Sequence, residues 1–506
     1  MAVKDSDIST LLSSASLVFA GAVLGSASKL IERIIVARTL SPEAYGEVSI
    51  ALTVLTFSVT MAMVGFNQGV PRYVSRFDDE KDVRGVWVTG LLVPGLVSLL
   101  VVAGLVLNAE WIVSRFFEGM GSVELLILFV LAIPFTVGSL VGIGTIRGLE
   151  NTIYKTYAQD LFHPGVRIAL LVALLGVGMG IDAVGYAYLL TAIGFFVFTH
   201  VLLNRLIPLV GEFETHVTEM VKFSAPLVIS TVLARLLTKT DTLMMGYFRT
   251  SFEVGQYSAA FPLANGMVII LSAFGFIYLP LASRLDANGE REEIDAIYKL
   301  TTKWIFVITF PLFVTLLLFP ADVLGAIFGA EYRQAALPLA ILSLGFFTNA
   351  AGGRNRETLS ALGYTGFILL TNAIAFALNF ALNLLLIPQY GAEGAAVASA
   401  ASYVTLNLTV IVILAAKFDI SPFSPWSVRT FVVLPAAVLP VAALLSQWVS
   451  LSALTLLPFM AVVGIASVYL AAVTGCLQPE DEIPLDLVED RLGITLPYLR
   501  RFIPDE

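Results

Sequence analysis

Cysteine is almost absent: Cys476 is the only one in 506 residues. A single thiol excludes an internal disulfide framework and any metal cluster built on cysteine, and neither a metal nor a cofactor is expected. Charge is scarce as well. Asp, Glu, Lys and Arg make up 13% of the chain and hydrophobic residues 58%, where a soluble domain carries about a quarter charged residues. That composition assigns the chain to membrane proteins before any motif is read. Long polar loops are missing too. The longest on the outer side, around 108–121 and 320–335, hold roughly fifteen residues. No extramembrane catalytic domain fits in them, so an enzyme is not expected. The opening MAVKDSDIST lacks the basic n-region and small-residue cleavage site of a signal peptide, so the first apolar segment is expected to be an uncleaved span.

What the chain has in quantity is apolar runs of the length that crosses a hydrocarbon core of about 30 Å. They lie near 10–37, 43–66, 84–107, 122–146, 153–178, 183–205, 221–247, 255–281, 297–319, 336–360, 367–388, 392–416, 428–450 and 451–474. Rich in Leu, Ala, Val and Gly, without the short alternation of a barrel, they predict an all-α membrane protein of about fourteen helices. Of the 29 Lys and Arg, 20 fall in segments on one side, four (Arg38, Arg115, Arg249, Arg333) on the other, and five within spans. The positive-inside rule then places both termini in the cytoplasm. The net charge of −9 comes largely from the last thirty residues and from FDDEKD at 77–82. The tail 475–506 is either a short amphipathic helix (Leu485, Val488, Leu492) or a solvated acidic segment.

The chain also repeats itself. In LSPEAYGEVSIA (40–51), Ser41, Pro42 and Glu43 form a helix start, with a Ser cap, Pro in the first turn and an acid at the positive dipole end. TSFEVGQYSAA (250–260) echoes it. A shift of 209 places Gly46, Ser49 and Ala51 on Gly255, Ser258 and Ala260, Glu32 on Asp241, and Ala183, Gly185 and Ala187 on Ala392, Gly394 and Ala396. TIRGLENTIY (145–154) matches TLSALGYTGF (358–367) at a shift of 213. Six spans per repeat is an even number, so both copies enter the membrane from one side, as a parallel repeat. The expected organisation is a lobe at 1–210, a second at 211–416, two extra helices at 417–474 and an acidic cytoplasmic tail at 475–506. A cleft between lobes is the usual place for a transported solute.

Charges within spans are costly, at about 2.5–3.5 kcal/mol on insertion scales, and need partners or water. Lys29, Glu32 and Arg33 share one side of span 1. Asp160, His163 and Arg167 share a face of span 5. Arg235 and Lys239 share a stripe of span 7, with Asp241 a third of a turn away. One reading makes Glu32 with Lys29 or Arg33, and Asp160 with Arg167, structural ion pairs. Summed instead, five basic residues against Glu32, Asp160 and Asp241 leave an interior of positive sign, suited to a phosphate or diphosphate head group. His163, before Pro164, is either a proton relay or an ordinarily hydrogen-bonded ring. Arg38, Arg147, Arg354 and Arg356 lie near span ends, where they line a cavity mouth or follow from interfacial snorkelling and positive-inside bias. Pro226, Pro262 and Pro311, with Gly138, Gly142 and Gly144, permit kinks and close packing.

IIVARTLSPEAYGEVSIA with GFNQGVPRYVSRF, and DTLMMGYFRTSFEVGQYSAAFPL, resemble signatures of the polysaccharide-transporter (oligosaccharide flippase) branch of the multidrug/oligosaccharidyl-lipid/polysaccharide exporter superfamily. The similarity covers residues 10–474. It implies two six-helix lobes around a central cavity, alternating access, and flipping of a polyprenyl-linked sugar or oligosaccharide to the outer leaflet. It also implies that Lys29, Glu32, Arg33 and Asp241 face that cavity, although span 8 offers Asn265 where related lipid II flippases carry charge. The expected partners are a lipid-linked sugar, membrane lipids and glycosyltransferases of the same pathway, with no nucleic acid, acting from a monomer. A cation-coupled drug antiporter is the competing transport reading. A membrane glycosyltransferase or polymerase would need larger outer loops. The acidic balance, with Arg outnumbering Lys, points to a salt-adapted archaeon and dolichyl carriers.

Overall fold

The structure, a computed structural model, describes residues 24–117, 123–482 and 500–504. All regular structure among these residues is helical. α1 (24–39) is followed by α2 (Pro42–Ala62), α3 (Phe66–Val74), α4 (Glu80–Leu107), α5 (Ala109–Phe116) and α6 (Val123–Gly148). A short α7 (Thr152–Lys155) runs through a π-helical turn, Thr156–Phe162, into α8 (His163–Gly176). Then come α9 (Asp182–Asn204), α10 (Val217–Phe248), α11 (Ser251–Asn288), α12 (Arg291–Leu318) and α13 (Pro320–Ile327). α14 (Ala336–Gly352), α15 (Asn355–Ala361), α16 (Thr365–Phe418), α17 (Pro425–Leu445) and α18 (Ala453–Val473) complete the order.

Eleven helical stretches among the described residues are long and apolar enough to cross a membrane. One of them, α16, is two expected spans joined at Gly391, whose φ of 53° and ψ of −128° break the helix three residues after Pro388. With α16 counted twice and α1 and α10 added, helix is found in each of the fourteen expected segments over its described residues, 10–23 of the first lying outside them. The chain is an all-α, multi-pass membrane protein. Hydrophobic residues cover much of the outer surface as well as the core. α4 turns Leu92, Leu96, Leu99 and Leu100 outward, as a lipid-facing helix does. Some buried hydroxyls in such helices bond back to their own turn, as Ser139 does to the Phe135 carbonyl at 2.7 Å.

Contacts divide the chain into two compact units, Met1–Ser258 and Ala259–Glu506. In the first, α6 is the central helix, packed against α9, α4, α3 and α2. Its glycines permit this. A Cβ on Gly138 would come within 2.5 Å of the Phe196 ring, and one on Gly142 within 2.7 Å of Thr199, so α9 seats where side chains are missing. In the second unit α12 holds the centre against α14, α17 and α18, with Phe313 and Phe347 stacked at 4.0 Å between centroids. The tenth expected span stops short. α14 ends at Gly352, because Gly353 takes a φ of 58°.

α2 begins as its sequence dictates, with the Ser41 side chain accepting from the Ala44 N–H at 3.3 Å and Pro42 in the first turn. The two copies of this turn meet. A Cβ on Gly46 would sit 1.8 Å from the Ser251 carbonyl oxygen, and a Cβ on Gly255 would sit 2.0 Å from the Pro42 carbonyl oxygen. The shift that carries Gly46 to Gly255 also carries Pro42 to Ser251, so the contact is reciprocal, as between two copies related by a local two-fold. Only glycine lets the backbones approach this closely.

Candidate functional site

The first unit gathers the in-membrane charges of α1, α8 and α10. On α1, Glu32 is 5% exposed. Its Oε2 forms an ion pair with Arg167 of α8, 2.9 Å from Nε. The Tyr188 hydroxyl of α9 donates to Glu32 Oε1. The Arg167 guanidinium lies 4.5 Å above the Tyr188 ring, which rests on Phe129 at 4.6 Å. A buried carboxylate is tolerable here because both oxygens have partners.

Asp241 of α10 is 1% exposed and accepts from the Tyr257 hydroxyl at 2.6 Å. Glu32 and Asp241, superposed by the repeat, are thus each covered by a tyrosine, but the tyrosines come from unrelated positions.

The remaining cations behave differently. Lys29 and Arg235 are exposed, and Arg33 and Lys239 half-buried. Among the described residues none of the four has a carboxylate within ion-pair distance. They are close enough to act on one another: Lys29 lies in the field of Arg167, Arg235 and Arg33, and Lys239 in that of Arg33, Arg235 and Lys29. The Tyr45 hydroxyl of α2 donates to the Ser258 carbonyl at 3.3 Å and lies beside the Arg33 side chain. The geometry offers several accessible donors of positive charge and no accessible carboxylate among them, an arrangement that attracts an anion.

Two expected pairings differ. Asp160 does not meet Arg167; it pairs with Lys155 at 2.6 Å, and Arg167 takes Glu32 in place of Lys29 or Arg33. The cause is the π-helical turn Thr156–Phe162. Its i→i+5 register places Asp160 beside Lys155 and rotates it away from the regular helix that carries Arg167. His163 opens that regular helix, half-buried, its ring 4.5 Å from the Phe195 ring and within the field of Arg167 and Lys29. The four expected at a cavity mouth are shared between the two units. Arg38 and Arg147 are exposed near the ends of α1 and α6. Arg354 and Arg356 belong to the second unit, where Arg354 is buried, pairs with Glu357 at 2.8 Å and donates to the Leu271 carbonyl, while Arg356 is exposed. Sequence reasoning missed Tyr188, Tyr257, Tyr45 and Lys155. A tyrosine at membrane depth is the one available signal, and it does not name a partner.

The aligned relatives and folds agree in kind. The chain is 26% identical over 176 residues to "Probable low-salt glycan biosynthesis flippase Agl15" of Haloferax volcanii, covering 35% of this chain and 37% of that protein. It is 24% identical over 320 residues to "Probable flippase AglR" of the same organism, covering 63% of each. The matched stretches therefore span less than two thirds of either curated relative. Among solved structures, "Lipid II flippase MurJ, inward closed conformation" superposes with a TM-score of 0.72 at 15% identity, over 92% of this chain and 98% of that one, which establishes a shared fold. The family described as polysaccharide biosynthesis protein matches residues 35–337, more than half of the sequence, and the chain belongs to that family.

Proposed function

We propose that the protein is a flippase. It carries a polyprenyl phosphate- or diphosphate-linked sugar or oligosaccharide across the cytoplasmic membrane by alternating access, with both termini in the cytoplasm. It would serve cell-surface polysaccharide or glycoprotein biosynthesis, receiving its substrate from glycosyltransferases of that pathway. The observation that carries this reading is the group Lys29, Arg33, Arg235 and Lys239, without carboxylate partners among the described residues. The physical task is to move a charged head through hydrocarbon while the prenyl tail stays in lipid. Fixed cations replace the water the phosphate loses, and the barrier falls without any covalent step. Arg33 and Lys29 on α1 and Arg235 and Lys239 on α10 would contact the phosphate. Glu32 and Asp241, each held by its own partners, would stay out of competition for those cations. The names of these two curated relatives, each given as a probable flippase, support the assignment.

The test uses vesicles reconstituted with the full chain and a fluorescent polyprenyl diphosphate-linked sugar. Arg33→Ala and Lys239→Ala should each slow translocation at least tenfold at unchanged protein level. Unchanged rates in both would overturn the assignment. Drug sensitivity after gene deletion, without build-up of lipid-linked sugar on the cytoplasmic face, would favour a cation-coupled antiporter.

A further inference from the structure

The joint between the two sequence repeats lies near residue 210, yet the first compact unit continues to Ser258 and takes in all of α10. The connecting stretch Arg205–Val217 shows why. Arg84, in the first turns of α4 and 8% exposed, donates from Nε to the Glu212 carbonyl at 3.0 Å and from its terminal nitrogen to the Pro208 carbonyl at 3.2 Å. The Glu214 N–H donates to the Lys81 carbonyl at 3.3 Å. His216 Nε2 lies 2.8 Å from Asp82 Oδ1, and its ring stacks on Phe77 at 4.5 Å. Two glycines leave no slack. A Cβ on Gly85 would sit 1.5 Å from the Glu214 carbonyl oxygen, and one on Gly211 2.4 Å from the Arg84 guanidinium. Immediately beyond, α10 docks on α3: the Tyr73 hydroxyl donates to the Glu219 carbonyl at 3.1 Å, and Arg72 covers the Phe223 ring at 4.2 Å.

We infer that residues 208–216 are a clasp that fastens α10 to the α3–α4 hairpin, so that this helix, the first of the second repeat, is held as part of the first unit. The consequence reaches the cation group. Lys29 and Arg33 come from the first repeat, and Arg235 and Lys239 from the second. With α10 clasped, all four ride on one body and stay assembled while other helices move. Arg84 is a positioning residue in this device. It touches neither the cations nor anything they hold.

Amide hydrogen exchange of the full chain in lipid nanodiscs tests this. Arg84→Ala should raise exchange at least tenfold over 208–216 and over the first two turns of α10, while α6 stays protected. His216→Ala should give the same pattern more weakly. Unchanged exchange over 208–216 in both variants overturns the clasp, as does a freed connection with α10 still fully protected. Where Arg84→Ala loosens α6 as well, His216→Ala decides. No substrate enters the measurement, so the clasp can fail or stand independently of the transport assignment.

Discussion

A buried ion pair in the second unit supports a quantitative prediction. Lys303 of α12 is 2% exposed and Asp481, eight residues past α18, 0%. Lys303 Nζ pairs with Asp481 Oδ2. The same carboxylate accepts from the Trp304 indole N–H at 2.8 Å and from the Gln478 N–H at 2.8 Å. Lys303 also donates to the Cys476 carbonyl at 3.4 Å. The opening of the expected acidic tail is therefore packed against α12; the residues 483–499 that would form an amphipathic helix lie outside those described. Asp481→Asn keeps one acceptor oxygen but leaves the Lys303 ammonium buried without a counter-charge. Removing one partner of a buried pair costs about 3–5 kcal/mol. Cys476 is buried and is the chain's single thiol, so its reaction with a thiol-specific dye reports opening of this segment. At about 1.4 kcal/mol per tenfold, Asp481→Asn should speed labelling by about a hundredfold to several thousandfold. The double variant Lys303→Met with Asp481→Leu should return most of the way to the parent rate, because exchanging a whole pair for apolar side chains is often neutral. Labelling within threefold of the parent for Asp481→Asn, or a double variant as fast as the single, would refute the reasoning.

Other perturbations follow from the same geometry. Gly46→Ala forces a methyl against the Ser251 backbone and should lower thermal stability markedly, whereas Gly25→Ala, with nothing within 4 Å of its Cβ, should raise it by up to about 1 kcal/mol of helix propensity; a thermal melt of each compares them. Arg167→Met strands Glu32 with Tyr188 alone and should cost about 3–5 kcal/mol, most of it recovered by adding Glu32→Gln, as read by denaturation in detergent. Ser41→Ala removes the α2 cap and should cost about 1 kcal/mol in the same measurement.

Local and periodic features were legible in the sequence, and distant pairings were not. Span positions follow from apolar length, and the α2 start follows from Ser41 and Pro42, because each depends on a few adjacent residues. The repeat offset was legible too, and it matched Gly46 with Gly255, which the structure brings into reciprocal contact with Ser251 and Pro42. That they touch was invisible. Glu32 on α1 is far along the chain from Arg167 on α8 and Tyr188 on α9, and no periodicity specifies which acid meets which base. Even the local pairing of Asp160 failed, since an i, i+3, i+7 argument assumes an unbroken α-helix and the chain inserts a π turn there.

That failure matters less to the functional reading than it first suggests, because the sign of the site depends on which acids are already engaged. The chain as a whole is acidic, at −9, and its membrane interior holds carboxylates as well as cations. Counting charges gives only a modest positive excess. The structure sharpens it: Asp160 is neutralised by Lys155, Glu32 by Arg167, and Asp241 is buried under Tyr257. Each acid is removed from the accessible surface by a partner outside the group of four. In the proposed transport an incoming ligand would therefore meet Lys29, Arg33, Arg235 and Lys239, and an organic cation entering there would find no exposed acid among them to offset its desolvation. An anion would find several fixed charges already close together, whose mutual repulsion its arrival relieves. Under the proposed function, a preference for a phosphate head would come from how the interior acids are covered, and uncovering Glu32 by removing Arg167 should weaken anion binding even though Arg33 and Lys29 remain.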